Sequence, residues 1–386
     1  MSEQVDVLVI GGGPVGAALA RALSSGHPVS MIVLEAKTSP GPDPRVLALS
    51  HGSRLFLERI GAWQNVRRAT PINTIHVSQK GGFGRAVLRA EESGVPSLGH
   101  VAGYGEIHDA LVEGLSPEIY VEGATAREID LSRGTVDFDY LGERRQVCAR
   151  LIVMAEGGRL VEQVKGIEVH RKDYGQWAVI GQVKTDRPHG NIAYERFTKE
   201  GPVALLPFGD GFSLVWTATP DYARSLVEME RGEFLQRLQD HFGSRAGRFV
   251  DCDKRSGFPL ALRYCEPIVA ERLALVGNAA QTLHPVSGQG LNLGLRDVAA
   301  LSRSILDCPI DEIGHPGMLS AHAKSRRTDR EGGIRFTDSL IRIFSNEIPL
   351  LDSGRGLGLA ALDCLPPARK WFSRKMMFGL RPGRIL

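Results

Sequence analysis

Apolar runs and the residues that interrupt them set out the organisation of the chain. Val5 to Ile10 (VDVLVI) has the signature of a short buried strand, and a glycine cluster ends it. Pro14 to Leu23 (PVGAALARAL) predicts a helix rich in small residues, and Val29 to Leu34 (VSMIVL) a second buried strand, with Glu35 at its end. Strand, glycine turn, helix and strand open a parallel βαβ unit. Lys37 to Arg45 holds three Pro and a Gly in nine residues and predicts a loop. Between about Tyr174 and Trp216 the pattern changes to WAVIGQVKT, NIAYERFT, VALLPF and FSLVWTAT. These alternating, aromatic-containing stretches predict antiparallel strands of a separate sheet. Glu228 to Phe242 predicts one amphipathic helix. Arg272 to Val276 (RLALV) is again a buried strand, then comes a glycine-punctuated turn, and a helix follows from about Leu291 to Leu306. The organisation is therefore discontinuous, with a β-rich domain inserted into a nucleotide domain built from the N-terminal third and the region after about residue 256.

Composition narrows this without changing it. The 386 residues have ordinary globular proportions, 42% hydrophobic and 24% charged. Lys+Arg 47 against Asp+Glu 44 leaves a formal charge of +3, which gives no support to nucleic-acid binding across the surface. Gly 45 is high and suggests tight turns and close backbone approaches, as around phosphates. Five scattered Cys without a CxxC pair argue against a disulfide framework or structural zinc and suit a reducing cytosol. The start lacks the basic region of a secretory signal, and no apolar run reaches transmembrane length. A soluble protein, or one attached to a membrane surface, is expected.

Two constellations carry chemistry. Gly11-x-Gly13-x-x-Gly16 lies between a strand and a helix, and Glu35 follows Gly16 by 19 positions at the end of the next strand. That context makes it a dinucleotide signature. Gly11 permits the tight turn, Gly13 lets the backbone approach a pyrophosphate at the helix N-terminus, and Gly16 allows helix–sheet packing. Glu35 would accept hydrogen bonds from adenosine ribose hydroxyls. The second is Gly277-Asn278-Ala279-Ala280 followed by His284-Pro285-Val286-Ser287-Gly288-Gln289-Gly290-Leu291-Asn292. Gly288 and Gly290 keep this backbone bare, so that it can present N–H groups to an electron-rich ring or a phosphate. Asn278 could reach a sugar-like chain.

The stretches DVLVIGGGPVGAALA, DPRVLALS, YERFTKEGPVALLPF, SLVW, GFPLAL, RLALVGNAAQTLHPVSGQGLNLGLRD and RRTDREGGIRFTDSLIRIFSN run from residue 5 to about 346. In them the chain resembles the flavoprotein aromatic hydroxylases, and within these the ubiquinone-biosynthesis hydroxylases of the 2-polyprenyl-6-methoxyphenol type. The resemblance implies an α/β fold, with a FAD-binding Rossmann-like (GR2-type) domain, an inserted mostly antiparallel β-sheet substrate domain and a helical C-terminus. The FAD domain would comprise 1–70, 101–170 and 256–345, the substrate sheet 71–100 and 171–255. The resemblance also implies FAD, NAD(P)H as electron donor, and O2, which reduced flavin of this class captures as a C4a-hydroperoxide. The substrate would be a polyprenylphenol, the location the bacterial cytoplasm or the face of the inner membrane, and other ubiquinone-biosynthesis proteins would be candidate partners.

Carried over by residue, Gly11, Gly13, Pro14, Val15, Gly16 and Glu35 would bind the ADP half, and Arg45 the diphosphate or ribityl region. The second flavin motif usually reads Gly-Asp. The ubiquinone branch has Gly-Asn, as here in Gly277 and Asn278, with Ala279 following. Pro285, Gly288, Gln289, Gly290, Leu291 and Asn292 would pass beside the isoalloxazine. Where the class carries an Ala-Asp-Gly stretch, this chain has Ala155-Glu156-Gly157, so that Glu156 and Gly157 would serve FAD and NAD(P)H with a longer acid.

No catalytic base is assigned. His284 is near the flavin turn, and Tyr194, Arg196 and Trp216 either wall the substrate pocket or pack the sheet. The lack of a second glycine fingerprint and of a CxxC pair excludes the disulfide-reductase class. The segment 346–386 ends with Arg369, Lys370, Arg374, Lys375, Arg381 and Arg384 interleaved with Trp371, Phe372, Met376, Met377 and Phe378. It suits an interfacial helix on anionic lipid, or a basic face packed on the flavin domain through its aromatics. A hydroxylase of a small soluble aromatic and a non-catalytic FAD-bound subunit of a biosynthetic complex are the alternative functions.

Overall fold

Residues 7 to 10 alternate between two cores. Val7 and Val9 are buried on one face of their strand, Leu8 and Ile10 on the other. Burial on both faces is what a continuous apolar run in a parallel sheet requires. The computed structural model describes residues 3–24, 29–38, 43–82, 84–198, 200–344 and 349–380. Residues 39–42 of the Pro-rich loop, 345–346 of the last family-like stretch, and Arg381 and Arg384 of the tail lie outside them. The first sheet runs in the order Val269–Ala270, Leu273–Leu275, Glu143–Met154, Glu3–Ile10, Met31–Glu35, Tyr120–Glu122. All its pairings from Leu273–Leu275 onward are parallel. The hairpin Thr125–Asp130 and Thr135–Tyr140 continues from Glu143–Met154 and covers one face. The helices Pro14–Leu23, Tyr104–Val112 and Gln289–Leu306 cover the other.

Small residues set how closely these helices approach. A Cβ on Gly294 would stand 2.9 Å from Val15 and 3.2 Å from the Gly277 backbone. Gly277 itself has φ +57, and a Cβ there would also meet Val15 at 2.9 Å. Gly277, Gly294 and Val15 therefore form the contact between the first helix and Gln289–Leu306.

The second sheet has the order Gln281–Thr282, Ser256–Glu266, Glu168–Thr185, Gly211–Ala218, Val203–Phe208, Ile192–Phe197, Thr74–Gln79, Arg85–Arg89. Its pairings are antiparallel except that of Ile192–Phe197 with Thr74–Gln79. The return to the nucleotide domain expected at 256 comes later. Ser256–Glu266 pairs with Glu168–Ile180, so the chain leaves the sheet only beyond Glu266. Thr70–Ile72 and Gly99–Gly103, at the two ends of the inserted segment, pair instead in a three-stranded sheet with Val46–Ser50.

The expected helix 228–242 is Arg231–Phe242, and a further helix, Pro220–Glu228, precedes it. Met229 and Glu230 between them are extended. The break lets Leu226, Phe234, Leu238 and Phe242 all bury against one face of the second sheet. Arg255 donates to the carbonyls of Val227 and Met229 that the break leaves free.

The end of the first sheet, the helix Gln289–Leu306 and the long helix Pro316–Phe344 meet at buried charges. Asp297 accepts from Arg326 Nε at 2.8 Å, Gln281 Nε2 at 2.7 Å and the Gly277 N–H at 3.2 Å. Asp329 accepts from Arg296 Nε at 2.8 Å, Arg326 Nη2 at 2.9 Å and the Leu380 N–H at 2.9 Å. The GLRD and RRTDR runs are thus one network, and each carboxylate receives at least two charge-assisted or polar hydrogen bonds. Removing one partner strands the other's charge, so Asp297→Ala is expected to cost about 3–5 kcal/mol. Urea unfolding of wild type and variant measures this, and a change below about 1 kcal/mol would contradict it.

Candidate active site

A cavity of about 1160 Å³ runs between the two sheets, larger than the roughly 300–1,000 Å³ of a common ligand pocket. One end is the glycine turn. Gly11 has φ +104, and a Cβ there would lie 2.6 Å from the Glu156 nitrogen, so the turn abuts the end of the strand Glu143–Met154. A Cβ on Gly16 would lie 1.9 Å from the Gly11 carbonyl oxygen. Gly13 is bare by comparison, with only Tyr104 Oη at 3.5 Å from such a Cβ. It begins the helix Pro14–Leu23 without a side-chain cap, and no acid occupies the first turn. Free N–H groups and the positive end of the helix dipole there suit a diphosphate. Glu35 is already aimed. Its Oε2 accepts from the Gly12 N–H at 2.8 Å and its Oε1 from the Lys37 N–H at 2.9 Å, which orients the carboxylate at the cavity edge.

Residues without a sequence signal support this turn. Tyr120 donates its hydroxyl to the Gly12 carbonyl at 2.8 Å, and His108 Nε2 lies 3.0 Å from the same oxygen. Burial, with Glu35 nearby, pushes the Tyr120 phenol well above its ordinary value, so the hydroxyl keeps its proton. Arg45 lies on the cavity wall with its guanidinium paired to Asp43 and stacked 4.1 Å over the Tyr104 ring.

Arg263 joins the second and third motifs. It donates to the carbonyls of Gly158 at 2.9 Å, Asn278 at 3.2 Å and Ala279 at 3.1 Å. Gly158, with φ +90, leaves the space the guanidinium occupies. Glu156 accepts from the Leu160 N–H at 3.3 Å and lines the cavity with Gly157. The longer acid is thus accommodated by closing the turn after it.

In the 284–292 turn, the geometry separates ligand-facing from load-carrying residues. Pro285, Gly288, Gly290 and Leu291 line the cavity. The helix Gln289–Leu306 starts at Gly288 with no side-chain cap, a second bare N-terminus toward the same space. Asn292, expected beside the flavin ring, points away from the cavity. Its Nδ2 donates to the carbonyls of Ala48 at 2.9 Å and Gly288 at 2.7 Å. Its Oδ1 accepts from the Ser50 N–H and the Ser53 hydroxyl, each at 2.7 Å. All its hydrogen-bonding capacity goes to pinning the turn to Val46–Ser50 and the helix His51–Arg59. Gln289, Gly16, Gly277 and Ala279 likewise sit behind the cavity wall, whereas Pro14, Val15 and Asn278 are on it. His284 Nδ1 accepts from the Val286 N–H at 3.1 Å, and burial holds its pKa down near 4. The proton of this neutral ring is therefore on Nε2, and His284 serves the loop rather than as a base.

Beyond the turn the cavity becomes an apolar chamber. Ile75, Val77, Ala193, Ala204, Leu206 and Val215 line it from the second sheet. Leu340 of the long helix, and Phe372 and Met376 of the helix Pro366–Phe378, line it from elsewhere. Trp216 is on the other face of the sheet, 4.7 Å from the His241 ring and fully buried. Tyr194 borders the cavity while its ring packs on Phe212 and Phe242, and Arg196 approaches Ser78 at 3.4 Å. The residue between them, Glu195, belongs to the chamber wall. Period-two alternation in YERF carried this signal.

Burial raises the Glu195 pKa to about 8. The unfolded carboxyl ionises near 4.5, so between these values folding requires proton uptake, and stability is lost as pH rises through the folded value. Glu195→Gln removes this cost. It is expected to gain about 2–4 kcal/mol at pH 7 and nothing at pH 4. Thermal unfolding at both pH values checks it, and an equal effect at both would contradict it.

Known proteins are similar along nearly the whole chain. A family profile described as FAD binding domain matches residues 4–335. Ubiquinone hydroxylase UbiL of Rhodospirillum rubrum is 34% identical over 98% of this chain and 90% of its own. The 3-demethoxyubiquinol 3-hydroxylase of Escherichia coli K12 is 30% identical over 94% of this chain and 95% of its own. In structure, p-nitrophenol 4-monooxygenase PnpA from Pseudomonas putida DLL-E4 superposes with TM-score 0.78 at 18% identity, covering 98% of this chain and all of the other. PqsL of P. aeruginosa has TM-score 0.74 at 20% identity, over 92% and 99%. The bare glycine turn, the two uncapped helix ends and the space between them fit FAD, and the chain belongs to the FAD binding domain family, among the FAD-dependent aromatic hydroxylases of ubiquinone biosynthesis.

Proposed function

We propose that the protein hydroxylates a polyprenylated phenol of the 2-polyprenyl-6-methoxyphenol type, with NAD(P)H and O2 as co-reactants. The observation that carries this is the continuity of one cavity from the glycine turn into an apolar chamber. Gly11, Gly13, Pro14, Val15 and Glu35 would hold the ADP half, with Arg45 and Asn278 toward the diphosphate and ribityl chain. Pro285, Gly288, Gly290 and Leu291 would border the flavin ring. Bound there, the flavin supplies electron transfer from the nicotinamide and activation of O2. The chain's own part is to bind, orient and keep water out. Val77, Phe197 and Val286 pack together where the sheet meets the turn and form a dry seam beside the ring site. Phe372 and Met376 close the chamber from the C-terminal helix. That helix also explains half of the tail's composition, since Met377 is buried and Phe378 packs on His51 at 5.9 Å. Lys370, Trp371 and Arg374 remain exposed and suit contact with an anionic membrane surface, from which a prenylated substrate would come. Among the described residues no helix is long and apolar enough to cross a membrane.

The reading is tested with purified FAD-loaded protein, a short-chain prenylphenol, NADH or NADPH, and air. A product heavier by one oxygen, formed with consumption of one nicotinamide, is expected. Flavin that neither nucleotide reduces, or reduction that no prenylphenol turns into product, would overturn it. Gly16→Ala is expected to abolish FAD retention, because its Cβ would collide with the Gly11 carbonyl. Flavin absorbance of the purified variant reports this, and wild-type loading would contradict the placement.

A further inference from the structure

Glu195 is a polar group in an apolar wall, and the sheet register shows how isolated it is. Across four neighbouring strands it lies in the row Val77, Glu195, Ala204, Val215. The next row toward the start of its strand is Ile75, Ala193 and Leu206. All of these line the same cavity. Its Oε1 is enclosed and has no hydrogen-bond partner. Among the described residues no neighbouring charge contributes to its protonation, which burial governs. A leucine or glutamine would fill this position without the penalty of a buried acid, so the fold has no structural use for it.

Its position relative to the flavin turn supplies the use. Phe197, two residues along the same strand and thus about 6.8 Å away, packs with Val286 of that turn. A flat ring seated between the turn and the sheet would meet the row Val77, Glu195, Ala204, Val215 on its sheet side, where Glu195 is the one polar group. An enclosed carboxyl oxygen without a partner calls for a hydroxyl on the ligand.

We propose that Glu195 is the polar anchor of the substrate ring, its carboxyl group hydrogen-bonding the phenolic hydroxyl while the apolar tail of the substrate occupies the rest of the chamber. This rests on the hydroxylase reading above and adds the residue that fixes which edge of the phenol is held. A phenol then binds through two features, hydroxyl and tail, and loses the first when either the hydroxyl or the carboxyl is removed.

The test is equilibrium binding to the oxidised, FAD-loaded protein, followed by the change in flavin absorbance. The probes are a short-chain prenylphenol and the same prenylbenzene without its hydroxyl. Wild type is expected to prefer the phenol by about tenfold or more. Glu195→Leu abolishes that preference while leaving the hydroxyl-free probe's affinity within about threefold, and Glu195→Gln, which still hydrogen-bonds, restores most of it. Wild type without a preference for the phenol, or E195L with the wild-type preference, overturns the anchor. The first of these comparisons needs no variant and stands even if E195L fails to retain FAD. Hydroxylated product from wild type in the same preparation separates the two ideas. Product formation with no preference removes the anchor alone, whereas no product from any prenylphenol removes the hydroxylase reading itself.

Discussion

Asp297 is the carboxylate on which the assembly of the site depends. It sits in the helix that begins at the flavin turn, yet its hydrogen bonds reach Gly277, just past the parallel sheet, Gln281 on the edge strand of the second sheet, and Arg326 on the long helix. Asp329 extends the same network to Arg296 and to the backbone of Leu380. The two sheets, two helices and the C-terminal segment are thereby fixed in one relation. The backbone of the 288–291 turn is held from behind by the four hydrogen bonds of Asn292, while Gly288, Gly290 and Leu291 face the cavity. Such a turn can be both rigid and open, which a cofactor cradle requires and a loop stabilised only by itself cannot provide.

The cavity has a polar end and an apolar end, and they differ in how they treat charge. At the glycine turn, Glu35 is oriented by two backbone N–H groups, and Arg45 is shared between Asp43 and the face of Tyr104. Each has partners, and the hydrogen bond to Asp43 raises the Arg45 pKa. At the chamber, Glu195 has none and keeps its proton. A ligand with a phosphate-bearing end and a neighbour with a greasy tail meet environments suited to each within one cavity, whose wall includes Val77, Phe197 and Val286.

Much of this was legible in the sequence where one residue type does one physical job. The strand–glycine–helix order, the acid at the end of the second strand and the bare 285–291 turn all follow from backbone requirements that few residues satisfy. Residues whose direction or pairing differs from expectation share a different cause. Asn292 and Gln289 lie within a glycine-rich run but point behind it, and direction along a helix start is not written in composition. Arg263, Tyr120 and His108 act from strands and a helix distant in sequence, with no spacing to betray them. Ser256–Glu266 reads as an ordinary alternating strand, and only its pairing with Glu168–Ile180 shows which sheet it joins. The helix Pro220–Glu228 was not read because only Ala223 and Leu226 of it are buried apolar residues, too few to set a period. Glu195 was visible as alternation between Tyr194 and Arg196, but the eye goes to the aromatic and the cation.

The pinning of the turn by Asn292 has a consequence for how the protein comes into being. Asn292 and Ser50, which it holds, are 242 positions apart. At about 5–20 residues per second, the ribosome finishes the first half of the cradle roughly 12–50 s before it supplies the second. The glycine turn near the N-terminus therefore leaves the ribosome as a half-site, with its strand edges waiting for the segment 143–154 and then 273–275. A cradle closed by Asn292 is consequently complete only once the segment that carries residue 292 has been made.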